Sequence, residues 1–280
     1  MSEPALPPVD SAVPPVVPVV PAVAVAPSAL SAPSVAAEVF GPAIGLAERY
    51  AGLLAGPGVE RGILGPGEAS RLWDRHLLNC ALVAGFVPSP CSLIDLGSGA
   101  GLPGIVLAML LPDVTVTLLE PMARRVTFLE ECVAVLGLGN VQVRRGRAED
   151  SAGQLSADVV IARAVAPMYK LAGLAAGLAQ PGGLVLAIKG AGAAAEVSEA
   201  RPELRRLGAR DVQVLRAGSG IVDPAVTVVR FTAGRPPGRS DRSAARDAGD
   251  LTRDARGVAA GPFRARRAQP GRGRGRRSPG

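Results

Sequence analysis

Residues 93–108 read LIDLGSGAGLPGIVLA, an apolar run that ends in an acid and opens into a glycine-rich turn. Glycine has no side chain to hold a ligand away, so such a turn lets a nucleotide-like molecule approach the backbone. Gly99, Gly101 and Gly104 fit G-x-G-x-x-G, a dinucleotide spacing that alone means little in a chain with 35 glycines. Shifted towards the apolar run, Asp95-Leu-Gly97-Ser-Gly99-Ala-Gly101 is acid-x-Gly-x-Gly-x-Gly. The two patterns predict different chemistry. A pyrophosphate is held by backbone amides at a helix start. An amino-acid moiety brings an ammonium as well as a carboxylate, and Asp95 beside the glycines suits the ammonium.

Further residues weigh the two patterns. Glu120 ends VTVTLLE (114–120) and can accept from two ribose hydroxyls, which serves either ligand. GRAED (146–150) follows the third apolar run and sets Ala148 and Glu149 at the level of an adenine. PGG (181–183) opens the fifth run with a tight turn. Together these resemble the class I S-adenosylmethionine-dependent methyltransferases more than a nicotinamide enzyme. An NAD-dependent oxidoreductase stays open, as does a non-enzymatic RNA-binding or ribosome assembly factor on the same fold.

The elements that must position these residues alternate. Strand-like runs at 92–96, 114–120, 141–146, 157–162 and 183–189 are separated or followed by helical stretches at 101–111, 123–136, 168–179 and 193–207. That rhythm predicts an α/β fold, a doubly wound Rossmann-like parallel sheet covered on both faces, with its ligand at the carboxyl ends of the strands. VQVLRA and VTVVRF follow without a helix between them and should pair antiparallel at an edge. Helical spacing at Val39, Ala43, Ala47, Tyr50 and Leu54, and again at Leu72, His76, Cys80 and Ala84, predicts a small helical cap over 39–90 ahead of the methyltransferase-like domain at 91–232.

Both ends differ from this middle. Residues 1–38 hold nine prolines and no Lys or Arg, which predicts a disordered leader and neither a secretory signal nor a membrane span. Residues 233–280 carry 13 Arg and 4 Asp, so the net charge of +7 belongs to this tail, while residues 1–232 sum to −2. Such a low-complexity basic tail is either an RNA-phosphate contact or a plain solvated extension. Cys80, Cys91 and Cys132 fit no zinc or redox spacing and suit a reducing cytoplasm. With His76 as the one histidine, no metal site is expected.

RHLLNC, LIDLGSGAGLPGIVLA, LLEPMARRVTFLEE, GRAED, IARAVAPM and LAIKG stand in the order and spacing of the bacterial small-subunit ribosomal RNA guanine-N(7) methyltransferases, RsmG (GidB), which this chain resembles over about residues 39–232. The resemblance implies S-adenosyl-L-methionine as cofactor, bound by Gly97, Leu102, Ala148, Glu149 and Arg163, to which the glycine motif and the second strand end add Gly99 and Glu120, and it implies 16S ribosomal RNA or a small-subunit precursor as partner. Two departures stand out. Asn79-Cys80 replaces the commoner Asp-Ser, and Arg124-Arg125 replaces Lys-Arg, exchanging an ammonium for a planar fork. No Asn/Asp-Pro-Pro-aromatic element follows the fourth strand and no cysteine nucleophile follows the fourth or fifth, so neither exocyclic-amine nor cytosine-carbon methylation fits. Guanine N(7) has an exposed lone pair and needs no general base, only placement. Lys189, Arg125 and His76 are the candidates for positioning the RNA. Arg163 either lies between cofactor and RNA or pairs with Asp95 or Glu149; Lys189 is otherwise an exposed strand-end charge, and His76 otherwise packs at the junction of cap and sheet. Nothing demands a dimer, so a monomer is expected.

Overall fold

The computed structural model describes residues 31–234. The leader up to residue 30 and the basic tail from residue 235 lie outside the described residues. Seven strands form one sheet: β1 Cys91–Leu96, β2 Val114–Glu120, β3 Val141–Arg145, β4 Ala157–Arg163, β5 Ala179–Lys189, β6 Arg210–Ala217 and β7 Val226–Thr232. Their order is β3-β2-β1-β4-β5-β7-β6. The first five are parallel, and β7 inserts antiparallel between β5 and β6. This is the doubly wound, Rossmann-like, mostly parallel sheet that the alternation predicts. The antiparallel pair lies at one edge, with β6 outermost.

Alternation along each strand fills two cores. Leu93, Val116, Leu118, Val159, Ile161 and Leu186 face one side, where helices α4 Gly104–Leu110 and α5 Ala123–Leu136 pack together with the cap. Ile94, Leu96, Val160, Ala162, Val185 and Phe231 face the other, under α7 Met168–Ala176 and α8 Ala193–Arg206. The central strands β1 and β4 are buried on both faces, which is why they read as unbroken apolar runs.

The cap begins earlier than expected. Helix α1 spans Ser34–Phe40, starting inside the stretch read as leader, and buries Ala36, Val39 and Phe40. The single helix expected from Val39 to Leu54 is interrupted, because Gly41 takes φ +51° and Pro42 follows; α2 then runs Ile44–Leu53. The chain re-enters through a wide helical turn, Leu72–Leu77, that leads into α3, Leu78–Ala81.

Three other boundaries moved. The helix after β1 starts at Gly104 and not Gly101, since the glycine turn occupies the intervening residues. A short helix, α6 Ala148–Ser151, forms within the expected loop. Strand β5 starts at Ala179, and PGG forms a bulge: pairing with β4 jumps from Ala157–Ala179 to Val159–Leu184, with Gly182 at φ +85°. No helix among the described residues is long and apolar enough to cross a membrane.

Candidate functional site

The order of the strands reverses between β1 and β4, so a crevice opens at their carboxyl ends. The glycine turn leaves β1 there. Gly97, Gly99 and Gly101 have φ of +69°, +59° and +96°, values that an L side chain rarely adopts. The turn is braced from below and from the cap. Asp95, fully buried, accepts the Gly104 amide through Oδ2 at 2.8 Å. Tyr50 donates its hydroxyl to the Ala100 carbonyl at 2.6 Å. Glu120 accepts the amide of Gly99 at 2.9 Å and that of Met122 at 3.0 Å.

Asp95 is the unusual group. Its Oδ1 is buried and has no hydrogen-bond partner among the described residues. Burial raises its carboxyl to about 7, even though the Gly104 amide and the Arg163 charge oppose that rise. A carboxylate so placed is receptive to a cation.

A cavity of about 180 Å³ lies over the strand ends. Gly97, Ala148 and Glu149 line it together, with Leu119, Gly146 and Val165 between them. The Val165 side chain lies where a Cβ on Gly97 would come within 3.0 Å, so glycine is required for the wall to close. Of the other expected cofactor residues, Gly99 and Leu102 lie further along the turn and Glu120 bonds to it from β2, none of them lining the cavity, and Arg163 stands apart. Glu120 is 1 % exposed, and its oxygens serve the turn's own amides, a scaffolding role the sequence did not reveal.

Arg163 pairs with neither Asp95 nor Glu149. It reaches the cap, where it donates to Cys80 Sγ at 3.3 Å and to His76 Nδ1. With Nδ1 accepting, Nε2 carries the proton and donates to Glu68 at 2.6 Å. Burial first, and then the Arg163 charge, lower the His76 pKa, so the ring is neutral. His76 is thus a packed junction residue, 5 % exposed, and the end of β4 is bonded to the cap through it.

Lys189 also departs from expectation. It is no free strand-end charge: its side chain is 9 % exposed, and Nζ donates to the Ala166 carbonyl at 2.7 Å and to Glu196 at 2.8 Å. That hydrogen bond from Lys189 holds Glu196 below the usual carboxylate range. Glu196 accepts the Met168 amide as well, so Lys189 and Glu196 together pin the segment between β4 and α7. Arg125 leans back on Glu120, Nη1 to Oε1 3.8 Å. Tyr50 and Glu196 were missed because each meets the site only through tertiary contact, across 50 residues in the case of Tyr50 and Ala100.

Comparison with known proteins places this geometry. The family model described as rRNA small subunit methyltransferase G matches residues 44–222. A ribosomal RNA small subunit methyltransferase G of Thermobifida fusca is 57 % identical over 201 residues, 71 % of this chain and 85 % of the relative. Relatives of the same name from Streptomyces avermitilis and Mycolicibacterium gilvum are 51 % and 50 % identical, over 74 % and 76 % of this chain and 87 % and 95 % of their own lengths.

Proposed function

Since the chain belongs to the rRNA small subunit methyltransferase G family, we propose that it transfers a methyl group from S-adenosyl-L-methionine to N(7) of a guanine in 16S ribosomal RNA. The observation that carries this reading is the cavity at the strand reversal, where left-handed Gly97, two residues on from Asp95 with its buried, unpartnered oxygen, meets the adenine-level pair Ala148 and Glu149. That set fits a ligand with an ammonium at one end and an adenine at the other. It fits a nicotinamide dinucleotide less well, because a pyrophosphate beside a buried carboxylate meets repulsion.

When bound, S-adenosylmethionine supplies a methyl group activated on a sulfonium. Gly97, Gly99 and Leu102 hold its amino-acid portion, with Asp95 facing the ammonium. Glu120 keeps the turn in place and has spare lone pairs for ribose hydroxyls. Ala148 and Glu149 grip the adenine. Arg163 fixes the β4 end against the cap, and Lys189 fixes the segment that follows. With the cofactor bound, guanine N(7) would take the methyl group on its own lone pair as the S–CH3 bond breaks and the sulfur leaves as a neutral thioether. No side chain then has to remove a proton, and placement would provide the acceleration. The enzyme acts as a monomer in the cytoplasm, on ribosomal RNA or a small-subunit precursor, with the helical cap and the sheet forming one site. Mass mapping of 16S ribosomal RNA from cells with and without the protein tests this: one 7-methylguanosine should vanish with it, and an unchanged map overturns the assignment.

A further inference from the structure

A second cleft, of about 520 Å³, opens beside the first, between the cap and the ends of β5, β6 and β7. These strand ends lie on the same edge of the sheet as the cofactor cavity, because β7 runs antiparallel and enters where β5 and β6 leave. Lys189 lines this cleft and donates to the carbonyl of Ala166, which lines the first cavity, so that bond links the two openings. Arg71 and Arg75 reach this cleft from the cap and Arg216 reaches it from the end of β6, all three exposed. Residues 31–234 carry 18 cations and 18 anions, so a cleft bringing three arginines together is not a consequence of a basic body. Arg71 and Arg216 form no salt bridge with a described residue.

Asn79 supplies a second observation. It lines the cleft, and its Nδ2 donates to the Arg75 carbonyl at 3.1 Å, which leaves Oδ1 as the acceptor. That oxygen is buried and has no partner among the described residues, so it meets a ligand in the cleft only when the side chain turns outward. Asp74 and Asp223 add further acceptors on the same walls. Guanine presents N–H donors at N1 and N2 on the edge away from N7, so a base held by acceptors through those donors leaves N7 free.

We propose that this cleft holds the target guanine nucleotide of the RNA, with Arg71, Arg75 and Arg216 on the flanking phosphates and Asn79, turned outward on binding, accepting from the base. The inference rests on the methyltransferase reading above and deepens it by placing the acceptor. RNA phosphates held by arginine make binding fall with salt, with a slope of about 0.7 per contact on single strands. In the full-length chain, the double charge reversal Arg71→Glu with Arg216→Glu should raise KM for a 16S ribosomal RNA transcript by about tenfold or more and flatten the salt slope by about 1.4. S-adenosylhomocysteine affinity should be unchanged. Reversal of Arg205 and Arg210, exposed near the opposite end of β6 from Arg216, is the control and should do little. Asn79→Asp keeps an acceptor and should retain more transfer than Asn79→Leu. Unchanged KM and slope in the cleft variant, or equal losses in the control, overturn the cleft assignment while native turnover leaves the methyltransferase reading standing. A native chain that methylates no RNA overturns that reading itself.

Discussion

Asp95 and Gly104, nine residues apart, meet at 2.8 Å, carboxylate Oδ2 to amide, and between them close the turn that must cradle the cofactor. A Cβ at Gly104 would lie 2.6 Å from that oxygen and 2.9 Å from the Asp95 Cβ, with Leu118 pressing from the other side. Gly104→Ala should therefore destabilise by roughly 1–3 kcal/mol, as overpacking does, and should weaken S-adenosylhomocysteine binding. Gly139 has open space, so Gly139→Ala should leave both unchanged. Thermal unfolding with and without ligand compares the pair; equal melting temperatures contradict the packing argument.

The Asp95 carboxyl, raised by burial from 3.8 to about 7, predicts a proton linkage. Between those values the folded chain holds a proton that the unfolded chain has released. The group's contribution to stability therefore falls as pH rises through that window and is constant above it. A bound ammonium favours the ionised form, so binding S-adenosylhomocysteine at pH 7 should release about half a proton. Calorimetry in two buffers of different ionisation enthalpy measures this. Asp95→Asn should release none, and equal heats for the native chain in both buffers would contradict the role given to Asp95.

Glu120 accepts two backbone amides from a site that is almost wholly buried. Hydrogen bonds to a charged group contribute about 1.5–3 kcal/mol each. Glu120→Ala should raise the S-adenosylhomocysteine Kd at least about tenfold, since 1.4 kcal/mol is a factor of ten, and should lower Tm as well. Titration calorimetry with a parallel melt decides it.

His76 is held neutral by burial and by Arg163, its pKa below the ordinary 6.5. As pH falls through 6.5 the unfolded chain takes up a proton that the folded chain refuses, so stability is lost on the acid side. The urea midpoint of the native chain should fall more between pH 7.5 and pH 5.5 than that of His76→Gln, which keeps a donor and an acceptor but does not titrate. Parallel losses contradict the neutral ring.

How much of this was legible can be judged residue by residue. The alternation of apolar runs fixed the sheet, because β1 and β4 are buried on both faces and carry no other signal. Gly97, Ala148 and Glu149 were legible because their spacing follows the strand ends, and they share a cavity. For Lys189 the exposed strand-end alternative fails: sequence shows a charge after an apolar strand, and only the fold brings Glu196 and the Ala166 carbonyl to it, on the wall of the second cleft. Arg163 was placed at the right strand end, but its partner lies 87 residues away in the cap, a distance no local pattern encodes. The cap's true start at Ser34 was hidden by the prolines that precede it.

That correction to Lys189 is itself testable. Lys189→Met should lower Tm and kcat together, because the segment between β4 and α7 loses its tether, with little change in KM for RNA. A rise in KM alone, at unaltered Tm, would return Lys189 to the role of an RNA contact.

Methyl transfer itself remains the most direct test. The purified chain, incubated with methyl-labelled S-adenosylmethionine and 16S ribosomal RNA from cells lacking it, should put the label into 7-methylguanosine at a single position. No incorporation, or a label that elutes with any other nucleoside after digestion, would contradict the account.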